Sequence, residues 1–420
     1  MVEKLSSLNS QASNTAVGFL NKRITFDYLV FLMGFLLLAS PDLLDIPFRS
    51  LLLLSIDFVA VVLAVKKHIR LHSQVIFVWL YFSALFMSTI INGMPTSPLS
   101  ILIKMLHLAS FTLLTDYQFI KDKKACINGF AFILTILCVL DIVSVVFYPR
   151  GISQQITYWN QWSSSITPIW LFGNKNSHFR YFAPWIVVMA LRAIESNKKC
   201  RARLELCVCC LLSLLTSIML ESSTSIVALL VIIFGALMIN FGNSRFDFNP
   251  YLLAFLVFLF EGVILFGQTS FLSDFLQNIF GKDTTFSSRT LIWARTEALV
   301  SAKPILGWGV LTNEQASALL GHQAFVNSHN QFLNTLFQGG FIAFSFLLIW
   351  FLTSLSSLSH ASRSIRPLLS MFYIAMMIEM IFEQQFDSNL FVLNFILCSL
   401  IASHYEQNIR RDNEFKQDNS

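Results

Sequence analysis

Charge is scarce in this chain. Asp, Glu, Lys and Arg make up 13% of its 420 residues, about half the share in an ordinary soluble domain. With 55% hydrophobic residues, 42 phenylalanines and a mean hydropathy of +0.64, that shortage excludes a soluble globular fold and points to a chain that crosses a bilayer repeatedly. The net charge of +5 is no nucleic-acid footprint, because the basic residues sit in short loops between apolar runs, where they set orientation. Cysteine is sparse too. Cys126, Cys138, Cys207, Cys209, Cys210 and Cys398 fall in apolar runs and Cys200 in a basic loop, so no external disulfide framework is implied. The loops read as external lack an Asp-x-Asp pair and any His/Cys cluster with metal spacing, so no metal or other cofactor is expected. Internal repeats and paired Gly/Pro-broken spans, which mark many secondary transporters, are missing as well. No small-residue cleavage site follows the first apolar run, which reads as a retained helix.

What is present is a series of apolar runs. They start near Ile24, Phe48, Val75, Leu99, Cys126, Phe179, Leu204, Ser223, Pro250, Gln331, Pro367 and Asn389, and each is long enough to cross about 30 Å of hydrocarbon. The sequence thus predicts an all-α polytopic membrane protein with about twelve transmembrane helices. If the N-terminus is cytoplasmic, "KKHIR", "KDKK", "NKKCRAR", "SRSIR" and "RR" all fall inside, while the opposite loops are nearly free of Lys and Arg. The expected organisation is an N-terminal block of helices (1–148), an extracytoplasmic loop (149–178), a second block (179–267), a large extracytoplasmic loop (268–330), a C-terminal block (331–404) and a cytoplasmic tail (405–420). The two long loops face one side, and long structured loops are usually functional. Within the spans, Asp27, Asp57, Lys104, Asp141, Glu261, Glu379 and Glu383 are costly in lipid and are expected to face the bundle interior, most of them as internal ion pairs.

The large loop contains "FSSRTLIWARTEALVSAKPILGWG". Ser287 or Ser288 is placed to cap a helix, Pro304 lies beyond its end, and Arg289, Trp293 and Thr296 share a stripe. An arginine in a first helical turn opposes the macrodipole but suits a phosphate; a headgroup anchor is the blander reading. Further on, "FVNSHNQFLNTLFQGG" sets Ser328, His329 and Asn330 where the chain enters the membrane. Neutral imidazole there is equipment for proton transfer, although an interfacial histidine and a helix-capping asparagine are the commoner roles. In the first loop, Tyr158, Trp159, Trp162 and Trp170 are candidates to stack on sugars or to form an aromatic belt.

"SRTLIW", "KPILGWG" and "SHNQFLNTLFQGG", with "LFGNKN" at 171–176 before them, resemble the O-antigen ligase and O-antigen polymerase superfamily. These are bacterial membrane glycosyltransferases that act on polyprenyl-diphosphate-linked saccharides, and the likeness covers roughly residues 170 to 350. It implies a GT-C-like architecture, with His329 as the catalytic histidine and Arg289 as the arginine that binds the diphosphate. Asn174, Lys175, Asn176, Arg180, Trp293 and Asn330 become candidate substrate-binding residues. One departure stands out: the ligases carry a Ser-Arg pair where a later helix begins, and "LESSTSIVALL" at 220–230 has no arginine. Lys175 or Arg180 is the expected substitute cation, with Arg295 or Lys303 next in line.

The resemblance implies an enzyme of the cytoplasmic (inner) membrane, both termini cytoplasmic and the site on the extracytoplasmic face. The preferred activity is metal-independent polymerisation of lipid-linked repeat units into a capsular, exopolysaccharide or O-antigen chain. The alternatives are a ligase moving the glycan to lipid A core and, from another class, a flippase or transporter of lipid-linked saccharide. Expected partners are the polyprenyl-diphosphate-linked oligosaccharide, the bilayer and a chain-length regulator, without nucleic acid.

Overall fold

In hydrocarbon every backbone N–H and C=O must find its partner within the protein, so apolar runs become helices. The structure, a computed structural model, describes residues 25–41, 43–44, 46–94, 96, 98–160, 163–242, 248–266, 289–323 and 325–417. The first helices are α1 (Phe26–Ala39), α2 (Arg49–Lys67), α3 (Ser73–Ile91) and α4 (Pro98–Phe147). After a hairpin, β1 (Ser153–Asn160) and β2 (Ser163–Ile169), come α5 (Phe179–Glu195), α6 (Lys199–Met219), α7 (Ser223–Phe241) and α8 (Pro250–Phe266). Then follow α9 (Arg289–Ala302), α10 (Asn313–Leu320), α11 (Gln331–His360), α12 (Arg366–Phe382) and α13 (Asn389–Gln417). Helix starts track the apolar runs closely; the largest displacement is α6, which begins at Lys199 rather than Leu204. Among the described residues, α3, α4, α6, α7 and α11 are long and apolar enough to cross a membrane, and α1, Pro250–Val263 and Asn389–Tyr405 are shorter apolar helices.

Two expected spans are continuous in α4. Its 50 residues would run about 75 Å at 1.5 Å per residue, far more than one crossing. The division comes at Asp122 (φ −156°, ψ 87°), inside the basic "KDKK" stretch, where the Asp122 side chain accepts the Ala125 N–H at 2.9 Å and starts the second half. The expected loop is therefore a kink.

Among the described residues the hairpin is the one departure from an all-helical reading. β1 and β2 pair antiparallel, Ser153 opposite Ile169 and Ile156 opposite Ile166, in the 149–178 loop. The β-branched pairs Ile156–Thr157 and Ile166–Thr167, on facing strands, with the aromatic Tyr158 and Trp159 after the first, favour this extended pairing. Trp170, just beyond it, is buried and donates its indole N–H to the Tyr148 carbonyl at 2.8 Å, tying the hairpin base to the end of α4.

Helix packing uses small residues where backbones meet. α7 lies along α12, and a Cβ at Gly235 would come within 2.9 Å of Met371 Cβ, so only glycine permits that approach. The charges in the apolar helices are mostly paired internally. Asp57 meets His107 Nδ1 at 2.6 Å, Asp141 lies 3.2 Å from His178 Nε2, and Glu261 accepts the Asn330 amide at 2.6 Å. Asp27, only partly buried, pairs with Lys121 near a helix end.

The "KPILGWG" turn explains the glycines of α11. That helix breaks at Gly340 (φ 61°, ψ −164°), which strands hydrogen-bonding groups on either side. The turn supplies the partners. Trp308 and Gly309 N–H donate to the carbonyls of Phe337 and Gln338, both at 2.8 Å, while Phe341 N–H donates to Pro304 O at 2.8 Å. Gly307 (φ 68°) lets the turn lie flat on the break: a Cβ there would sit 2.7 Å from the backbone nitrogens of Gly339 and Gly340. Residue 329 is thereby held at the start of a helix anchored two turns further on.

Candidate active site

His329 stands just before α11 with a left-handed backbone (φ 48°), a conformation a β-carbon resists. Its neighbours hold it there. Asn327 Oδ1 accepts the His329 N–H at 2.8 Å, Ser328 Oγ donates to Asn330 O at 2.7 Å, and Trp293 Nε1 donates to Ser328 O at 2.9 Å. Asn330 caps α11 by accepting the Leu333 N–H at 2.8 Å. The strained backbone turns the imidazole toward Glu383, at the C-terminal end of α12.

Glu383 is where the site gathers. Its Oε2 lies 3.2 Å from His329 Nδ1, and its Oε1 meets both the Arg289 guanidinium and Asn176 Nδ2, the latter at 2.6 Å. Asn176 is steadied in turn by Ser222, whose hydroxyl donates to Asn176 Oδ1 at 3.0 Å, so the arginine-free 220–230 stretch reaches the site through a serine. Burial alone would raise the Glu383 pKa. The His329 hydrogen bond and the charges of Arg289, His329 and Arg180 outweigh it and hold the carboxyl below its ordinary value. An ionised carboxylate only accepts, so the facing Nδ1 carries a proton, and whenever the imidazole is neutral its lone pair is on Nε2. The imidazole side chain is 33% exposed, against 12% for Glu383, and both residues line the adjoining cavity.

Beside this pair lies a cavity of about 580 Å³, lined by His329, Glu383, Asn174, Asn176, Arg180 and Asp387 among others. That is an ordinary volume for a small-ligand site, with amides, hydroxyls and charges suited to sugar hydroxyls. Arg180 is fixed in the wall, its Nε donating to Gln385 Oε1 at 2.7 Å and its Nη2 pairing with Asp387 at 3.1 Å. These contacts do not use all five guanidinium donors.

The remaining candidates divide by position. Asn174 lines the cavity and its side chain organises the loop, accepting from Asn176 N–H at 3.1 Å and Ser177 Oγ at 3.2 Å. Lys175 is directed to the Glu221 carbonyl, 3.5 Å away, and does not line the cavity. Asn330 and Trp293 are both buried: Asn330 spends its amide on Glu261, Ile381 O and the helix cap, and Trp293 donates to Ser328 O. Arg295 donates to Leu320 O and Lys303 to Asn92 Oδ1, away from the cavity. Trp170 is a buried strut rather than a sugar platform. Trp162 and the side chains of Tyr158 and Trp159 lie outside the described residues, as do Ser287 and Ser288. Among the described residues no group of three or more His, Cys, Asp or Glu is arranged to hold a metal ion.

Sequence reasoning marked Glu383 only as a costly charge within a span. The usable signal was a carboxylate among the last residues of an apolar run. Comparison with known proteins adds one match. Residues 208–348 fit the family model described as O-antigen ligase, a stretch that includes Arg289 and His329 but not Asn176, Arg180 or Glu383. No curated protein matches the chain.

Proposed function

We propose that this chain, whose residues 208–348 match the family model described as O-antigen ligase, is a member of the O-antigen ligase and polymerase superfamily that polymerises polyprenyl-diphosphate-linked oligosaccharide repeats. In this reading about twelve helices cross the bacterial inner membrane, both termini are cytoplasmic, and the site opens on the extracytoplasmic face. The observation that carries it is the meeting of His329, Arg289 and Asn176 on Glu383 beside a polar cavity.

The chemistry is a displacement at an anomeric carbon. His329 Nε2 takes the proton from an acceptor hydroxyl as its oxygen bonds to that carbon, and the C–O bond to the diphosphate breaks with its electrons. Glu383 stabilises the imidazolium that forms. Arg289, which meets Glu383 but is not among the residues lining the cavity, shares its guanidinium between Glu383 and the departing diphosphate, and Arg180, in the cavity wall, is the second cation. Two arginines supply the charge stabilisation without a metal. The polymerase is preferred over the ligase because 220–230 has no arginine and reaches Asn176 through Ser222 instead. A chain-length regulator is the expected protein partner.

Replacing the gene in its own strain by His329→Ala separates the readings. A polymerase variant leaves single lipid-linked repeats accumulating outside. Long lipid-linked polymer that is never transferred indicates the ligase, and repeats trapped inside indicate a flippase; either result overturns the proposal.

A further inference from the structure

Between α12 and α13 runs a short connector, residues 383–388, outside any helix or strand. It carries Glu383, Gln385 and Asp387, the side chains that meet His329, Arg289 and Arg180. A loop bearing such contacts needs its own backbone groups tied down, because untied loops open locally at little cost. Two side chains from other helices do this. Gln331, buried in the first turn of α11, accepts the N–H of Gln385 at 3.0 Å and of Phe386 at 2.8 Å through one oxygen. Its amide is oriented for that task, since Nε2 donates to Thr335 Oγ1 at 3.3 Å and so turns Oε1 toward the connector.

From α4, Lys104 Nζ donates to the carbonyls of Phe386 at 2.6 Å and Asp387 at 3.0 Å. Its ammonium also lies over the face of Phe82, 5.3 Å from the ring centre. A lysine near a membrane surface usually extends to the headgroups; this one spends its short hydrogen bonds on the connector. Between the two clamps the Phe386 ring is buried against Tyr81 and Trp350, with ring centres 5.6 Å away in both cases. Gln331 follows His329 and Asn330 directly, so one helix start presents the base and also holds the loop of its carboxylate partner.

We infer that Gln331 and Lys104 are positioning residues that clamp the 383–388 connector and fix Glu383 against His329, an inference that rests on reading that pair as the acid–base machinery. The test is hydrogen–deuterium exchange on the full chain in lipid nanodiscs, paired with chain growth on lipid-linked repeats. In Gln331→Leu and in Lys104→Met, exchange of the peptide covering 383–390 should quicken on the order of tenfold while α7 and α12 keep their protection. Chain growth should fall by a similar factor, and Lys104→Arg, which keeps a cationic donor, should restore both. Unchanged exchange in the connector, faster exchange throughout the bundle, or a loosened connector with wild-type chain growth each overturns the inference. Failure of the underlying reading shows separately, as wild-type chain growth in His329→Ala with the connector's exchange response to Gln331→Leu intact.

Discussion

His329 Nδ1 lies 3.2 Å from Glu383 Oε2 although the two residues are 54 positions apart in the chain. The contact joins the start of α11 to the end of α12, and it sets Nδ1 of the imidazole against a carboxylate beside a polar cavity. An isolated interfacial histidine would have neither the carboxylate nor the cavity.

The lowered pKa of Glu383 has a consequence for stability. A carboxyl held below its ordinary value of 4.5 favours the folded state above that value, and the contribution is lost as pH falls through the folded pKa. Thermal unfolding followed from pH 7 to pH 3 should show a midpoint that declines below about pH 4.5, and the decline should be shallower in Glu383→Gln. Parallel curves for the two proteins would mean that Glu383 does not change its pKa on folding.

Gly340 should not tolerate a side chain. Its φ of 61° with ψ near −164° is open essentially to glycine alone, and a Cβ would fall 2.2 Å from the Ile305 carbonyl oxygen. Gly340→Ala is expected to cost about 2 kcal/mol or more, measured as a lower unfolding midpoint and reduced yield of monodisperse protein. Gly262→Ala, where nothing lies within 4 Å of the added carbon, is the control and should behave as wild type.

The two candidate substitutes for the missing arginine should separate. Arg180 lines the cavity and Lys175 does not. Arg180→Gln should cut chain growth by about 10-fold or more, and Arg180→Lys should recover little because an ammonium lacks the bidentate geometry. Lys175→Gln should give polymer of near-normal length. Chain-length distributions on gels decide it; the reverse ranking would move the second cation to Lys175.

Much of the scaffold was legible because hydrocarbon enforces helices wherever apolar residues run long enough, and α5, α7, α8, α11 and α13 begin at the residues where their runs begin. His329, Arg289 and Asn176 were legible as polar residues in the two long loops between apolar runs. Glu383 was not, because its role comes from packing α11 against α12, and nothing local in "MIFEQQF" reports what faces it. The choice between Lys175 and Arg180 was equally hidden. It depends on the path of the 173–178 turn, which is shaped by Asp141 accepting the Phe172 N–H at 3.0 Å and by His178 beside Asn174 O at 3.0 Å. The burial of Asn330 and Trp293 was hidden as well, because a polar or aromatic residue beside a reactive one has the same sequence signature whether it touches substrate or supports the loop.

The most direct measurement is chain growth by purified protein in nanodiscs supplied with lipid-linked repeats, with and without a chelator. Wild type should release polyprenyl diphosphate and build chains of two or more repeats equally well in both. His329→Ala should slow by about 100-fold or more, with its unfolding midpoint unchanged and lipid-linked repeats still bound. Wild-type chain growth by a properly inserted His329→Ala protein, or its loss from the wild type on chelation, would contradict the account.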